Sequence, residues 1–444
     1  MGGQVFATGP DPLSTPRMSP EMYRAVRDQC QEKLRQHFVV VAVPIEGPAK
    51  QSFGDIDIFV AWDRREVFPS SAPKTAIDES QQSSIQSIYQ ALGSVRHKQP
   101  NEDSASMAIP WPESFPPPEE ANEGSNASKK YYIQVDVHIY RSLEELQWML
   151  FKHAHGDFWN LLGSIVRPYG LTADDTGFHI RIPEIEELNK KEARVLLSKD
   201  PADVLKFLGL RFDSQQWEEP FACEEDVFEY VATCPLFYVK DKTKDEDTVG
   251  GDENEIEDNK KKLKANDRRR MASRPIFRKW VEEFLPACRA SGRFMASTTT
   301  LPTRSNVHQQ VFEYFPGAQS IYESRLLKWR VKRQHETLWK AVIKPAIPTD
   351  IDMHQRSCCA TALKKIILQG DTSFDGIEAP PSLKDDSGIF DEEAVRTWVV
   401  DNWDTVSAVA WRINNERCAA KKANTGTKRT LSGIEKTPPG EDAA

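Results

Sequence analysis

Gly54-Asp55-Ile56-Asp57-Ile58 is the stretch that decides the fold. Acidic and apolar residues alternate, the period-two pattern of a strand with one buried face. Asp55 and Asp57 then project from one face, roughly 6–7 Å apart at the rise of a strand. Carboxylates held that close repel unless a cation sits between them. A divalent metal meets that need, and Mg²⁺ favours a sparse carboxylate site completed by phosphate and water. For an isolated Asp-x-Asp the plainer alternative is an exposed strand edge.

The flanking sequence supports a sheet. Phe38 to Val43 is a continuous apolar, mostly β-branched run, the pattern of a strand buried on both faces, and Pro44 ends it. Ser19-Pro20 followed by Met22, Ala25, Val26 and Cys30 predicts a helix to about Gln36. Ile85, Ile88, Tyr89 and Leu92 mark a second, amphipathic helix. Ser106 to Trp111 reads as a short strand. Tyr131 to Ile139 reads as a strong one, with Gln134, Asp136 and His138 on one face and Val135 and Val137 on the other. If that strand pairs with the Asp55–Asp57 strand, Asp136 completes a triad. Three carboxylates can hold two metals ~3.5–4 Å apart, an arrangement suited to in-line phosphoryl displacement.

The whole chain has 444 residues, enough for two or three domains. It is 39% hydrophobic with a net charge of −9, which argues against a uniformly basic nucleic-acid binder and leaves room for a basic patch. No apolar run is long enough to cross a membrane, and residues 1–18 hold no secretion-type apolar segment. Seven scattered cysteines without a Cys-x-x-Cys pair read as reduced thiols inside the cell, in cytoplasm or nucleus. Nothing fixes an oligomeric state.

The expected organisation is a disordered segment 1–18, a core over 19–240 with a proline-rich mobile loop at 113–128, a charged linker 241–271, a helical domain 272–420 and a disordered tail 421–444. Within the linker, residues 241–259 carry nine acidic and two basic residues, and 260–274 eight basic and one acidic, so the two blocks nearly cancel. The basic block reads as a phosphate contact, a nuclear import signal or a solvated helix start.

Gly54-Asp55-Ile56-Asp57-Ile58 with the later Val135-Asp136-Val137 resembles the DNA polymerase β-like nucleotidyltransferase superfamily. The resemblance covers about residues 35–235, and 153–230 is also similar to uncharacterised fungal and viral members. It implies an α/β (α+β) fold: a nucleotidyltransferase-like mixed sheet with flanking helices, here followed by a helical C-terminal domain. It also implies transfer of a nucleotide from a nucleoside triphosphate to an acceptor hydroxyl, dependent on Mg²⁺ or Mn²⁺. Carried over, Asp55 and Asp57 bind the metals, and Asp136 binds the metal on the nucleophile side and helps activate the acceptor. The motif names neither the triphosphate nor the acceptor, which nucleic acid, protein or a small molecule would fit.

One part of the pattern is missing. The superfamily's Gly-Ser turn should lie ~10–12 residues before the first Asp, where this chain has Val43 and Pro44. Gly47 is closer and is followed by Pro48, which has no N–H to offer a phosphate. Lys50, Ser52 and Gly54 are the replacement candidates for nucleotide binding. A catalytically silent member that binds nucleic acid or protein is the alternative. His138, His155 and Asp157 are accessory candidates, with a sheet histidine and a helix N-cap as the plain readings of His138 and Asp157. Residues 320–344 hold seven basic residues against two acidic ones. On a helix Arg325, Lys328 and Lys332 form a stripe with Arg333 beside it, a candidate nucleic-acid contact or simply a solvated face.

Overall fold

The computed structural model describes residues 3–69, 83–116, 130–212, 217–239, 265–295 and 301–431. The expected loop 113–128 beyond residue 116, the linker before residue 265 and the tail after residue 431 lie outside them. The fold is mixed α/β, with a five-stranded mixed sheet, flanking helices and a helical C-terminal region.

Helix α1 (Pro20–Leu34) starts where Ser19 accepts the Met22 N–H and Pro20 fills the first turn. Strand β1 (Phe38–Ala42) leads through a loop into β2 (Asp55–Asp63) and a short α2 (Arg64–Val67). Helix α3 (Ser84–Leu92), capped by Ser83 and closed by Gly93 at φ +65°, precedes β3 (Arg96–Asn101), β4 (Ser104–Pro110) and β5 (Tyr132–Tyr140). The sheet order is β1-β2-β5-β4-β3. Only β2 and β5 run parallel, with Asp57 opposite Asp136. One face of β2 and β5 buries Ile56, Ile58, Val60, Ile133, Val135 and Val137 against Met22, Val26 and Leu34 of α1 and Ile88 and Leu92 of α3. Each such side chain contributes about 1.5–3 kcal/mol by leaving water. The acids stay on the opposite face, which α4 (Leu143–His153) covers at one end through Leu146 against Phe59 and Ala61.

After α4 come α5 (Phe158–Val166) and a three-stranded antiparallel sheet, β6 (Leu171–Asp174), β7 (Gly177–Arg181) and β8 (Arg194–Ser198), with a short α6 (Pro183–Glu186) between β7 and β8. Helix α7 (Pro201–Phe207) and helix Glu224–Ala232 follow.

The structure corrects several expectations. The apolar run at 38–42 is an edge strand paired only with β2, and only Phe38 is fully buried. Strand β3 has no sequence signal, since Arg-His-Lys-Gln-Pro-Asn carries no β-branched residue; it is a polar edge strand, where Pro100 is tolerated. Residues 3–18 are not a detached tail. Phe6 and Met18 are each 1% exposed, and Met18 exchanges backbone hydrogen bonds with Phe53 at 2.7 and 3.0 Å. Residues 421–431 continue the helix Glu392–Leu431.

The domain boundary also moves. The chain divides into units 1–319 and 320–444, so the helices between 275 and 314 belong with the sheets. Aromatic packing explains this: Trp280 stacks on Phe284 at 4.8 Å and meets Phe228 and Phe237 at 5.6 and 5.2 Å. The second unit contains most of helix Ala318–Thr337, a π-helical turn Leu338–Ile343, and helices Met353–Gln369 and Glu392–Leu431. Its core gathers Leu338, Val342, Ile343, Cys359, Leu363, Ile366, Val395, Val399 and Val406.

Trp280→Ala is expected to lower the stability of the first unit by about 3–5 kcal/mol in urea denaturation. A drop below about 1 kcal/mol would place residues 275–290 outside that unit's core.

Candidate active site

The parallel register between β2 and β5 sets Asp55, Asp57 and Asp136 on one face of the sheet. All three are partly buried. Their charges are coupled: burial first, then the nearby Asp55 and Asp136, push the Asp57 carboxyl up to about 7. Burial also raises Asp136, against the opposing hydrogen bonds from Ser106 and Gln134. The Gln134 amide donates to Asp136 Oδ2 at 2.8 Å, while Asp136 Oδ1 is buried with no partner. The backbone N–H of Gly3 donates to Asp55 Oδ2 at 3.2 Å.

Among the described residues no group of three or more His, Cys, Asp or Glu side chains is drawn together as a metal site. Asp55 and Asp136 are each turned to a protein donor instead. The donor chemistry nonetheless fits a hard cation: oxygen ligands only, one of them buried and unpartnered, and a carboxyl, Asp57, lifted by burial and then by its acidic neighbours.

The loop between β1 and β2 contains no helix. Its position is set instead by the turn after α4, where the His155 N–H donates to the Ile45 carbonyl at 2.8 Å. Gly156, at φ +63°, lies so close to Gly47 that a Cβ on it would come within 3.1 Å of the Gly47 Cα. Gly47 therefore serves a close backbone approach. Lys50 pairs with Glu46 at 2.7 Å, and its Nζ lies 4.4 Å from the Phe53 ring centre. Glu46 also accepts from the Tyr23 hydroxyl. Glu46 raises and Lys50 lowers the Asp57 pKa, so both lie within electrostatic reach of the acids. Ser52 receives Arg17 on both its hydroxyl (2.8 Å) and its carbonyl (2.6 Å), and Gly54 is buried.

His138 lies on the acidic face next to Asp136 and packs edge-on against Phe59 at 5.5 Å. With Asn101, Asp103, Ser104 and Tyr140 it lines a cavity of about 340 Å³. His153 also meets Phe59 edge-on, at 5.4 Å. Burial lowers both imidazoles, His153 to about 4, so this wall is neutral at physiological pH. His155 is elsewhere, 1% exposed among Phe158, Trp217 and Phe221, with Nε2 3.0 Å from the Trp217 carbonyl. Asp157 occupies the N-cap position of α5 without making a capping bond. Its carboxylate accepts instead from Arg274 at 2.5 Å and Asn160 at 3.1 Å. Arg270 reaches Asn160 at 3.2 Å, so two arginines of the basic block are tied to α5.

Glu46, Gln134 and His153 are the neighbours that sequence reasoning does not assign to the site. Gln134 is legible, since it shares a strand face with Asp136. Glu46 and His153 reach the site only through tertiary packing.

In the second unit, Lys328 and Lys332 open on a cavity of about 550 Å³ together with Lys340, Lys364, His335 and Trp339. Lys364 Nζ lies 5.3 Å from the Trp339 ring centre. Glu336 is the one acidic residue of that lining; Arg333 contacts it at 3.4 Å and lies over Trp329, and Arg325 is exposed on the same helix.

The raised Asp57 pKa sets a pH dependence. Between about pH 4 and 7 the unfolded chain releases a proton that the folded protein keeps, so metal-free stability falls as pH rises. Asp57→Asn mimics the neutral acid. In metal-free buffer it is expected to be about 1–3 kcal/mol more stable than the parent at pH 8, with no difference near pH 4, in urea titrations. A variant equal to or weaker than its parent at pH 8 would show that the acids do not repel.

Solved structures of polymerase beta from Leishmania infantum are similar to this chain. A ternary P/T complex matches at 13% identity with a TM-score of 0.29, over 46% of this chain and 77% of that one. A ternary gap complex matches at 13% identity and a TM-score of 0.30, over 46% of this chain and 71% of that one. No protein-family model matches the chain, and no curated protein matches it.

Proposed function

We propose that the first unit is a nucleotidyltransferase that uses Mg²⁺ or Mn²⁺ to move a nucleotide from a nucleoside triphosphate to an acceptor hydroxyl. The observation that supports this most is the register that sets Asp57 opposite Asp136, two residues from Asp55, with the Asp136 Oδ1 buried and unpartnered. Asp55, Asp57 and Asp136 would hold the metals, which supply a polarised phosphoryl group and charge neutralisation. In the reaction the acceptor oxygen bonds to the α-phosphorus as the bond to pyrophosphate breaks. Asp136 would hold the acceptor hydroxyl and take its proton, which then passes to solvent, with neutral His138 beside it. Lys50 meets the triphosphate charge, and Ser52 and Gly54 supply a hydroxyl and a close backbone approach.

The acceptor we favour is nucleic acid. Lys328, Lys332, Lys340 and Lys364 surround one cavity beside Trp339, with Arg325 and Arg333 on the same basic helix. Lysines one helical turn apart match successive phosphates, and an aromatic floor accepts a base. The seven free cysteines agree with a reducing, intracellular setting, cytoplasmic or nuclear. Among the described residues no helix is long and apolar enough to cross a membrane.

One observation favours a second reading, a catalytically inactive nucleotidyltransferase-fold protein that binds nucleic acid or protein. The β1–β2 loop offers no helix N-terminus to a triphosphate and carries Pro48. Incubation with each labelled triphosphate, Mg²⁺ or Mn²⁺ and a mixed RNA pool separates the two. The first reading expects label transfer that Asp55→Asn or Asp136→Asn reduces to the metal-free level with folding intact. Absence of transfer with retained RNA binding selects the second.

Filter binding of a generic RNA at two salt concentrations tests the basic surface. Replacing Arg325, Lys328, Lys332 and Arg333 together by Ala is expected to flatten the salt slope by about one unit for each phosphate that no longer meets a cation. Binding equal to the parent's would make the stripe a solvated face.

A further inference from the structure

We infer that residues 3–18 form a strap that closes the carboxylate face, so that a metal or triphosphate enters only when the strap tip lifts. This rests on the reading of Asp55, Asp57 and Asp136 as the reactive site, and it adds a control of access to it.

The strap occupies the groups that a substrate would need. Gly3 donates its N–H to Asp55 Oδ2 at 3.2 Å, and its Cα lies against the Gly54 carbonyl, where a Cβ would collide. Val5 donates to Gln134 Oε1 at 3.0 Å, the same amide that steers Asp136. Arg17 takes the hydroxyl and the carbonyl of Ser52. Strap tip and substrate therefore compete for Gly54, Asp55 and, through Gln134, Asp136, while Arg17 at the base stays on Ser52. Two ligands of the same groups exclude each other, and each weakens the other by the same factor.

The strap is held at its base by backbone pairing to the body of the protein and at its tip mainly by side-chain contacts. At its base, Met18 pairs with Phe53 on both backbone groups, and the Tyr132 N–H donates to the Ser14 carbonyl at 2.9 Å. At its tip, the acids are met by one neutral backbone N–H, which cannot offset their repulsion as a cation does. Lys98 holds the Val5 carbonyl at 2.5 Å and lies 5.6 Å from the ring centre of Phe6, the tip's only deeply buried side chain. Residues 7–10 of the tip's connection are exposed, with Gly9 at φ +124°, before Arg96 holds Asp11 through its carbonyl and carboxylate. That segment is a natural hinge, since it surrenders little packing when the tip swings out.

Gly3→Ala tests the strap in the full chain. The added Cβ strikes the Gly54 carbonyl and strains a backbone at φ +82°, so the tip should lift while Phe53 and Met18 keep the base in place. Phe6→Ser removes the tip's anchor by a different route. Hydrogen exchange over residues 3–8 reports whether the tip has lifted, and Mn²⁺ titration reports access to the acids. The expected result is faster exchange in both variants with Mn²⁺ binding about 10-fold tighter than in the parent. Faster exchange with Mn²⁺ affinity equal to the parent's would overturn the strap and leave the nucleotidyltransferase reading standing. Faster exchange with no Mn²⁺ binding in any form would overturn both. Unchanged exchange in both variants would show that the tip is not held by these contacts and would overturn the strap alone.

Discussion

The parallel pairing of β2 with β5 is the constraint on which the rest depends. It places Asp57 directly opposite Asp136 and Asp55 two residues away, so three like charges share one low-dielectric face. The opposite face of those two strands is wholly apolar and seals against α1 and α3. A one-residue slip would bury the acids and expose Ile56, Ile58, Val135 and Val137, which costs far more than the charge repulsion it would relieve. The apolar core therefore holds the acids together against their electrostatics. What yields instead is protonation: burial first, and then the neighbouring carboxylates, push Asp57 up to about 7.

The same register explains how much of the site is legible in the sequence. Period-two alternation in Asp55-Ile56-Asp57-Ile58 and in Val135-Asp136-Val137 fixes side-chain direction without any knowledge of tertiary structure. Asp55, Asp57, Gln134, Asp136 and His138 are thus assignable to faces from sequence. The strap is not, because its key contacts are backbone N–H groups and one small residue, Gly3, and neither has a sequence signature. Polar edge strand β3 is hidden for want of β-branched residues. The boundary near 319 is obscured because the charge run at 241–274 looks like a linker, whereas Trp280 and Phe284 carry the chain back onto Phe228.

The β1–β2 loop contains no Gly-Ser turn and is held by other means. With no helix between the strands, the loop is fixed by its contact with the His155–Gly156 turn, which demands positive φ at both residues and a glycine on each side of the approach. This gives His155 a structural use that its place in a His-x-His motif does not suggest. Its ring is packed in aromatics and its backbone is spent on Ile45. The loop in turn delivers Glu46, Lys50 and Phe53 to the edge of the acidic face, with Tyr23 of α1 stacked on Phe53 at 3.9 Å to hold it.

The charge balance of that edge bears on how a triphosphate would bind. Asp55, Asp57, Asp136 and Glu46 face one ammonium, that of Lys50, and Lys50 is already paired with Glu46. Fully ionised, these groups sum to a net charge of −3, and the neutral histidines His138 and His153 do nothing to offset it. A triphosphate adds about four further negative charges, which at the low effective dielectric of a half-buried face cannot be tolerated without counter-ions. Under the proposed function, metal and triphosphate binding are therefore strongly coupled: each lowers the electrostatic cost of the other. Lys50 has a specific part in that coupling. Its ammonium lies both over the Phe53 ring and on Glu46, so it can exchange Glu46 for an incoming phosphate while the aromatic contact is kept. Glu46 is left to the Tyr23 hydroxyl, which already donates to it, and the exchange of partners leaves no charge stranded.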